Sequence, residues 1–133
     1  AATYATSPPR QRILFVDDEP QLQRLGRRVL SHLGYEVSLA GDGDEALDAF
    51  RRGGVDAIVT DLSMPRMDGA ELVRRLRQEG STVPVVLCTG RADELASVDE
   101  AKTLYADVVR KPFDSQKLAT ALAEALATNK QRA

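Results

Sequence analysis

Short apolar runs alternate with amphipathic stretches along most of the chain, and this alternation is the strongest constraint on its fold. The runs cover residues 13–16, 35–39, 58–59, 85–88 and 108–109, and each precedes a stretch with apolar residues at helical spacing. Apolar residues that recur every three or four positions indicate a helix, whereas a short apolar run between turns indicates a strand. Five such repeats predict an α/β protein with a parallel sheet.

One of these segments has a different pattern, and the difference predicts the order of the strands. Tyr35, Val37 and Leu39 alternate with other residues, whereas the other runs are continuous. Interior parallel strands are covered by helices on both faces and are apolar throughout, while an edge strand can alternate. The second strand is therefore predicted at an edge, as in the flavodoxin-like (βα)5 doubly wound parallel sheet with strand order 2-1-3-4-5.

The length and composition of the chain predict one domain. It has 133 residues and a net charge of −2, which is typical of a single globular unit without a nucleic-acid or membrane surface. Residues 1–11 are predicted to be a linker or disordered tail, residues 12–127 the domain, and residues 128–133 a C-terminal tail. Because no long apolar run is present, we expect a cytoplasmic location.

The residues that follow the predicted strands carry the chemistry. Asp17 and Asp18 follow the first strand, Asp61 ends the third, Thr89 the fourth and Lys111 the fifth. Because parallel strands all point the same way, these residues are expected at one edge of the sheet. Clustered carboxylates repel one another and require a cation, and an oxygen-only set favours Mg²⁺. Lys111 and Thr89 can hold phosphoryl oxygens, so Asp61 is a candidate nucleophile for an aspartyl phosphate.

A nucleotide site is disfavoured at the end of the first strand. A Rossmann fold would have the motif G-x-G-x-x-G there, because its glycines let the backbone approach a pyrophosphate. This chain has Asp17-Asp18-Glu19-Pro20 at that position. The sequence therefore predicts cation and phosphoryl binding rather than dinucleotide binding.

Four motifs at the strand ends resemble those of the receiver domains of two-component response regulators. They are ILFVDDEP, IVTDLSMPRMDG, VVLCTG and VVRKPF, in the family's order within residues 12–127. The resemblance implies that Asp61 is the phosphoacceptor and that Thr89 and Lys111 act on the phosphoryl group. It also implies a cis peptide between Lys111 and Pro112.

The same resemblance implies a magnesium site. Mg²⁺ is the expected cofactor, with Asp18, Asp61 and the Ser63 carbonyl as direct ligands and Asp17 as a ligand through water. Receivers often carry an aromatic residue three positions before the lysine, and this chain has Val108 there. The usual movement of an aromatic ring is therefore not expected in this protein.

The resemblance further implies a signalling role with a protein partner. The domain would take a phosphoryl group from a phosphohistidine of a sensor histidine kinase or a histidine phosphotransfer domain, and would change conformation. It would catalyse transfer to and hydrolysis from Asp61 but would act on no separate substrate. The CTG sequence and the aliphatic fifth strand are similar to receivers tethered to hybrid sensor kinases. The same features fit a free-standing receiver.

Two other functions use the same residue types. A magnesium-dependent phosphatase of the haloacid dehalogenase type also has an aspartate nucleophile, but it has a second aspartate two positions later, where this chain has Ser63. A receiver-shaped interaction module would take no phosphate, and the presence of Asp61, Thr89 and Lys111 argues against it. Both alternatives are left to experiment.

Three further polar residues are predicted to have structural roles. Asp68, with Glu71 three positions later, matches a capping box at the start of a helix. His32 is expected near the end of the first helix, where a polar or positive group is favourable, and Glu19 in its first turn. None of the three is predicted as a ligand.

Overall fold

The structure, a computed structural model, describes residues 10–90, 107–111 and 114–132. The strands are β1 (Arg12–Val16), β2 (Glu36–Ala40), β3 (Ala57–Asp61), β4 (Val85–Thr89) and β5 (Asp107–Arg110). The described helices are α1 (Pro20–His32), α2 (Gly43–Arg51), α3 (Gly69–Gln78) and α4 (Ser115–Arg132). The helical stretch expected after the fourth apolar run, at about residues 92–104, lies outside the described residues.

The strands form one five-stranded sheet in the order β2-β1-β3-β4-β5. Every adjacent pair is parallel, and Val16 lies between Ala40 of β2 and Thr60 of β3. The predicted flavodoxin-like topology and the edge position of β2 are confirmed. Because all strands run in one direction, their carboxyl ends lie at the same edge of the sheet. The predicted site residues lie at this edge.

Helices cover both faces of the sheet, and the hydrophobic core is divided between them. Leu14 and Val16 belong to the core beneath α2 and α3, whereas Ile13 and Phe15 belong to the core beneath α1 and α4. Successive residues of a strand point to opposite faces, so the continuous apolar run ILFV serves both cores at once. This explains why β1 is apolar throughout.

Helix α1 packs unusually close to β1 because it has a glycine at the contact. A Cβ atom built on Gly26 would lie 2.5 Å from the ring of Phe15. Even alanine would therefore displace the ring or the helix. The close approach fixes the start of α1 next to the end of β1, where Asp17 and Asp18 lie.

The helix ends test the three structural predictions. The Asp68 carboxylate accepts a hydrogen bond from the Glu71 backbone N–H at 2.8 Å, which confirms the predicted cap of α3. His32 lies in the last turn of α1, as predicted. Glu19 is the residue before α1 rather than part of its first turn, and its side chain makes no capping hydrogen bond.

The C-terminal helix continues past the domain boundary that the sequence predicts. Helix α4 continues to Arg132, past residue 127, where the sequence places the start of a tail. Among the residues that the structure describes, no helix combines the length and the apolar character that a membrane span requires.

Candidate functional site

Three carboxylates meet at the carboxyl edge of the sheet. Ligand oxygens of Asp17, Asp18 and Asp61 all lie within 4.8 Å of one another. Asp17 is 1% exposed and Asp61 8% exposed, whereas Asp18 is open to solvent. The structure therefore brings together the three acidic residues that the sequence predicted as one group.

Lys111 lies between the two buried carboxylates. Its Nζ atom is 3.2 Å from Asp17 Oδ2 and 3.2 Å from Asp61 Oδ2, and its side chain is 17% exposed. An ammonium group placed this way compensates two buried negative charges that would otherwise be costly. The sequence placed Lys111 near Asp61 but did not predict its ion pair with Asp17.

Hydrogen bonds hold Asp17 from several directions. Its Oδ1 atom accepts from the Glu19 backbone N–H at 2.9 Å, and its own N–H donates to the Ala40 carbonyl at 3.1 Å. Its carbonyl accepts from the Gln23 side-chain amide at 2.7 Å. Hydrogen bonds thus fix both the side-chain carboxylate and the backbone of Asp17.

The start of α3 packs closely against the end of β3, where Asp61 lies. A Cβ atom at Gly69 would lie 2.6 Å from the Asp61 carbonyl oxygen, so the first residue of α3 has to be glycine. The Thr60 hydroxyl donates to the same carbonyl at 3.0 Å, and the Ser63 backbone N–H donates to Asp61 Oδ1 at 3.4 Å. These contacts hold the carboxylate at the end of the strand.

Burial and neighbouring charges perturb the titration of this cluster. Burial raises the pKa of the Asp61 carboxyl; Lys111 opposes that rise and the nearby Asp17 adds to it, with a raised pKa as the result. Burial acts to lower the pKa of the Lys111 ammonium, but Asp61 and Asp17 outweigh it, so this pKa is raised. Lys111 is therefore a permanent cation at neutral pH.

Thr89 and Ser63 lie beside the cluster. Thr89 ends β4, is 2% exposed, and its carbonyl accepts from the Lys111 backbone N–H at 2.8 Å. Ser63 is exposed and adjoins Asp61 through the hydrogen bond from its N–H. The roles predicted for the Thr89 hydroxyl and the Ser63 carbonyl stay predictions. Pro112, and with it the predicted cis peptide, lies outside the described residues.

Sequence reasoning missed an ion pair that joins two loops near the site. Arg66 Nη2 lies 2.9 Å from Asp42 Oδ2, and the same aspartate caps α2 by accepting from the Glu45 N–H at 2.8 Å. The cap could have been found, since Asp42 and Glu45 have the spacing of Asp68 and Glu71. Arg66 has a φ of 68°, which the sequence could not have predicted because a positive φ is uncommon in residues other than glycine.

The donor atoms of the cluster fit a hard divalent cation. The groups are carboxylate oxygens from Asp17, Asp18 and Asp61, and no histidine or thiol is part of the set. Mg²⁺ prefers few carboxylates together with water and phosphate oxygens, and the exposed position of Asp18 leaves room for both. Burial raises the pKa of the neighbouring Cys88 thiol to about 12, so that sulfur is not an anionic ligand.

Comparisons with known proteins agree with this geometry. The family model of the response regulator receiver domain matches residues 13–123. The response regulator MprA of Mycobacterium sp. (strain KMS) is 41% identical over 110 residues, which are 80% of this chain and 46% of that protein. MprA of Mycobacterium leprae (strain TN) is also 41% identical over 110 residues, covering 80% of this chain and 47% of that protein. The chain thus spans about half the length of these curated relatives.

Solved structures give the same result. A response regulator receiver domain protein from Clostridium thermocellum superposes with a TM-score of 0.85 at 26% identity, over 92% of this chain and 99% of that one. The response regulator TrrA of Thermotoga maritima, solved in complex with Mg²⁺ and BeF, has a TM-score of 0.79 at 30% identity, over 86% of this chain and 98% of that one.

The raised pKa of Asp61 predicts an effect of its charge on stability. The folded state keeps the Asp61 proton to a higher pH than the unfolded chain, so the contribution of Asp61 to the free energy of unfolding falls as pH rises from about 4 through its folded pKa. Asp61→Asn lacks this ionisation. We expect the variant to have a higher free energy of unfolding than wild type at pH 7 in EDTA, and the difference to shrink toward pH 4.

Urea unfolding at the two pH values measures this difference. Asp48→Asn, at an exposed position of α2, is the control and should stay within about 0.5 kcal/mol of wild type. Equal or lower stability of Asp61→Asn at pH 7 would show that the Asp61 charge is not a burden to the fold.

Proposed function

Since the chain belongs to the response regulator receiver domain family, we propose that it is the phosphoacceptor of a two-component system and that Asp61 receives the phosphoryl group. The observation that supports this most is the position of the Asp61 carboxylate, 3.2 Å from the Lys111 ammonium and within the acidic cluster. A carboxylate held beside a fixed cation and a candidate metal site is suited to attack phosphorus.

In this proposal Asp18, Asp61 and the Ser63 carbonyl would hold Mg²⁺ directly, and Asp17 would hold it through water. Bound Mg²⁺ would neutralise charge on the phosphoryl oxygens. The Lys111 ammonium can form an ion pair with one of those oxygens, and the Thr89 hydroxyl can donate a hydrogen bond to another. Asp61 would serve both as a ligand of the ion and as the nucleophile.

The donor proposed here is a phosphohistidine of a sensor histidine kinase or a histidine phosphotransfer domain. An Asp61 oxygen forms a bond to phosphorus while the bond from phosphorus to the imidazole nitrogen breaks, and the nitrogen keeps the electron pair. In the later hydrolysis, the oxygen of water forms a bond to phosphorus while the bond from phosphorus to the Asp61 oxygen breaks. That oxygen keeps the electron pair, so the carboxylate returns, and inorganic phosphate leaves as the water gives up a proton to solvent. Both reactions use the same residues, so the domain catalyses its own phosphorylation and its own dephosphorylation.

The new charge is proposed to be read out as a conformational change. Phosphorylation adds a phosphoryl group to a carboxylate oxygen of Asp61 near Lys111, so Lys111 has to divide its contacts among more acceptors. Lys111 follows β5 directly, and its backbone N–H is bonded to Thr89 of β4, so a shift is transmitted to both strands. We place the domain in the cytoplasm, either free-standing or tethered to a hybrid kinase.

Incubation with acetyl phosphate and Mg²⁺ tests the phosphoacceptor directly. Intact mass spectrometry should show one added phosphoryl group in wild type, none in Asp61→Ala, and the wild-type result in the control Asp48→Ala. An unmodified wild type would contradict the proposal and favour an interaction module. Turnover of a generic phosphate ester that vanishes in Asp61→Asn would instead favour a phosphatase.

Beryllofluoride with Mg²⁺ tests the conformational change without hydrolysis. We expect backbone amide resonances to shift in β5 and α4, because Lys111 and Thr89 connect the site to this side of the sheet. We also expect shifts in residues 92–104, which follow Thr89 along the chain and lie outside the described residues. Asp61→Asn should show none of these shifts. Shifts confined to residues 17–19 and 61–63 in wild type would show that the site binds the phosphoryl mimic but does not switch.

A further inference from the structure

The side-chain amide of Gln23 makes the hydrogen bond that carries a further inference. Its Nε2 atom donates to the backbone carbonyl of Asp17 at 2.7 Å, across the turn between β1 and α1. Gln23 lies in α1, where its own N–H donates to the Glu19 carbonyl at 3.0 Å. The amide therefore ties the end of the strand to a helix that is already fixed against β1 through Gly26.

The bond acts on the peptide unit that joins Asp17 to Asp18. A peptide is planar, so the direction of the Asp17 carbonyl sets the position of the Asp18 nitrogen and Cα. The carboxylate of Asp17 is held separately by Lys111 and by the Glu19 N–H. Within the described part of the chain, the Asp18 side chain has no hydrogen bond or ion pair of its own. Its placement therefore depends on its backbone.

The Gln23 amide also lies close to the turn that follows β2. A Cβ atom at Gly41 would lie 3.6 Å from Gln23 Nε2, so the amide lies beneath the turn between β2 and α2. This turn is braced by the Glu45 carboxylate, which accepts a hydrogen bond from the Gly41 N–H. The amide of the half-buried Gln23 side chain therefore lies between this turn and the Asp17 carbonyl that accepts its hydrogen bond.

We propose that Gln23 is a positioning residue for the cation site, which fixes the Asp17–Asp18 peptide so that the Asp18 carboxylate points into the cluster. The inference rests on the proposed function in that it takes the acidic cluster as a Mg²⁺ site. Groups that orient metal ligands commonly change metal affinity 10- to 100-fold when removed. Gln23 is not among the proposed ligands of the ion and would act through Asp18.

The test compares Mg²⁺ affinity with stability in the absence of Mg²⁺. Gln23→Met keeps the size of the side chain and removes its donor, and Gln21→Met, at an exposed position of the same helix, is the matched control. Titration with MgCl2, followed by amide chemical shifts, gives Kd, and thermal unfolding in EDTA gives the midpoint. We expect Kd to rise about 10-fold for Gln23→Met and to stay at the wild-type value for Gln21→Met.

The possible outcomes separate this inference from the proposed function. An unchanged Kd in Gln23→Met would overturn the inference, whatever the unfolding midpoint in EDTA, because only stability would then depend on the bond. Gln23→Ala repeats the measurement if the methionine does not fit, and failure of both variants to fold would show a structural role and overturn it as well. If wild type and Asp61→Asn bind Mg²⁺ equally or not at all, the proposed function itself fails.

Discussion

The ion pairs of Lys111 with Asp17 and Asp61 are the interaction on which the rest of the site depends. Two carboxylates that are 1% and 8% exposed lie at the end of adjacent apolar strands, where each charge would be unfavourable alone. One ammonium group, 3.2 Å from both, offsets this cost without filling the open side of the cluster at Asp18. The fold therefore holds two buried carboxylates in the ionised state and keeps the Asp18 side of the cluster accessible to a divalent cation and a phosphoryl group.

The parallel sheet is what brings these charges together. Asp17, Asp61 and Lys111 come from β1, β3 and β5 or directly after them, and the common direction of the strands places all three at one edge. Close backbone contacts then set the details. Gly69 lets α3 begin against the Asp61 carbonyl, and Gly26 lets α1 approach β1. A side chain at Gly69 would collide with the Asp61 carbonyl oxygen, and one at Gly26 would collide with the Phe15 ring.

The sequence predicts the strand order and the members of the site because periodicity and strand ends are local features. It does not predict which charged groups pair. The Lys111 contact to Asp17 depends on how a long side chain reaches from the end of β5 past β4 and β3 to the end of β1, and no spacing rule contains that distance. Gln23 looks like any polar residue of a surface helix, because its bond depends on the turn after β1. Arg66 adopts a positive φ without the glycine that would have indicated it.

Replacing Lys111 by methionine tests the central claim most directly. If Lys111 offsets the two buried carboxylates, the free energy of unfolding at pH 7 in EDTA should fall by on the order of 2 kcal/mol, and part of the loss should return when Mg²⁺ is added. The exposed Lys117 of α4, changed to methionine, should leave stability nearly unchanged. Wild-type stability of Lys111→Met in EDTA would contradict the account, because the carboxylates would then need no cation.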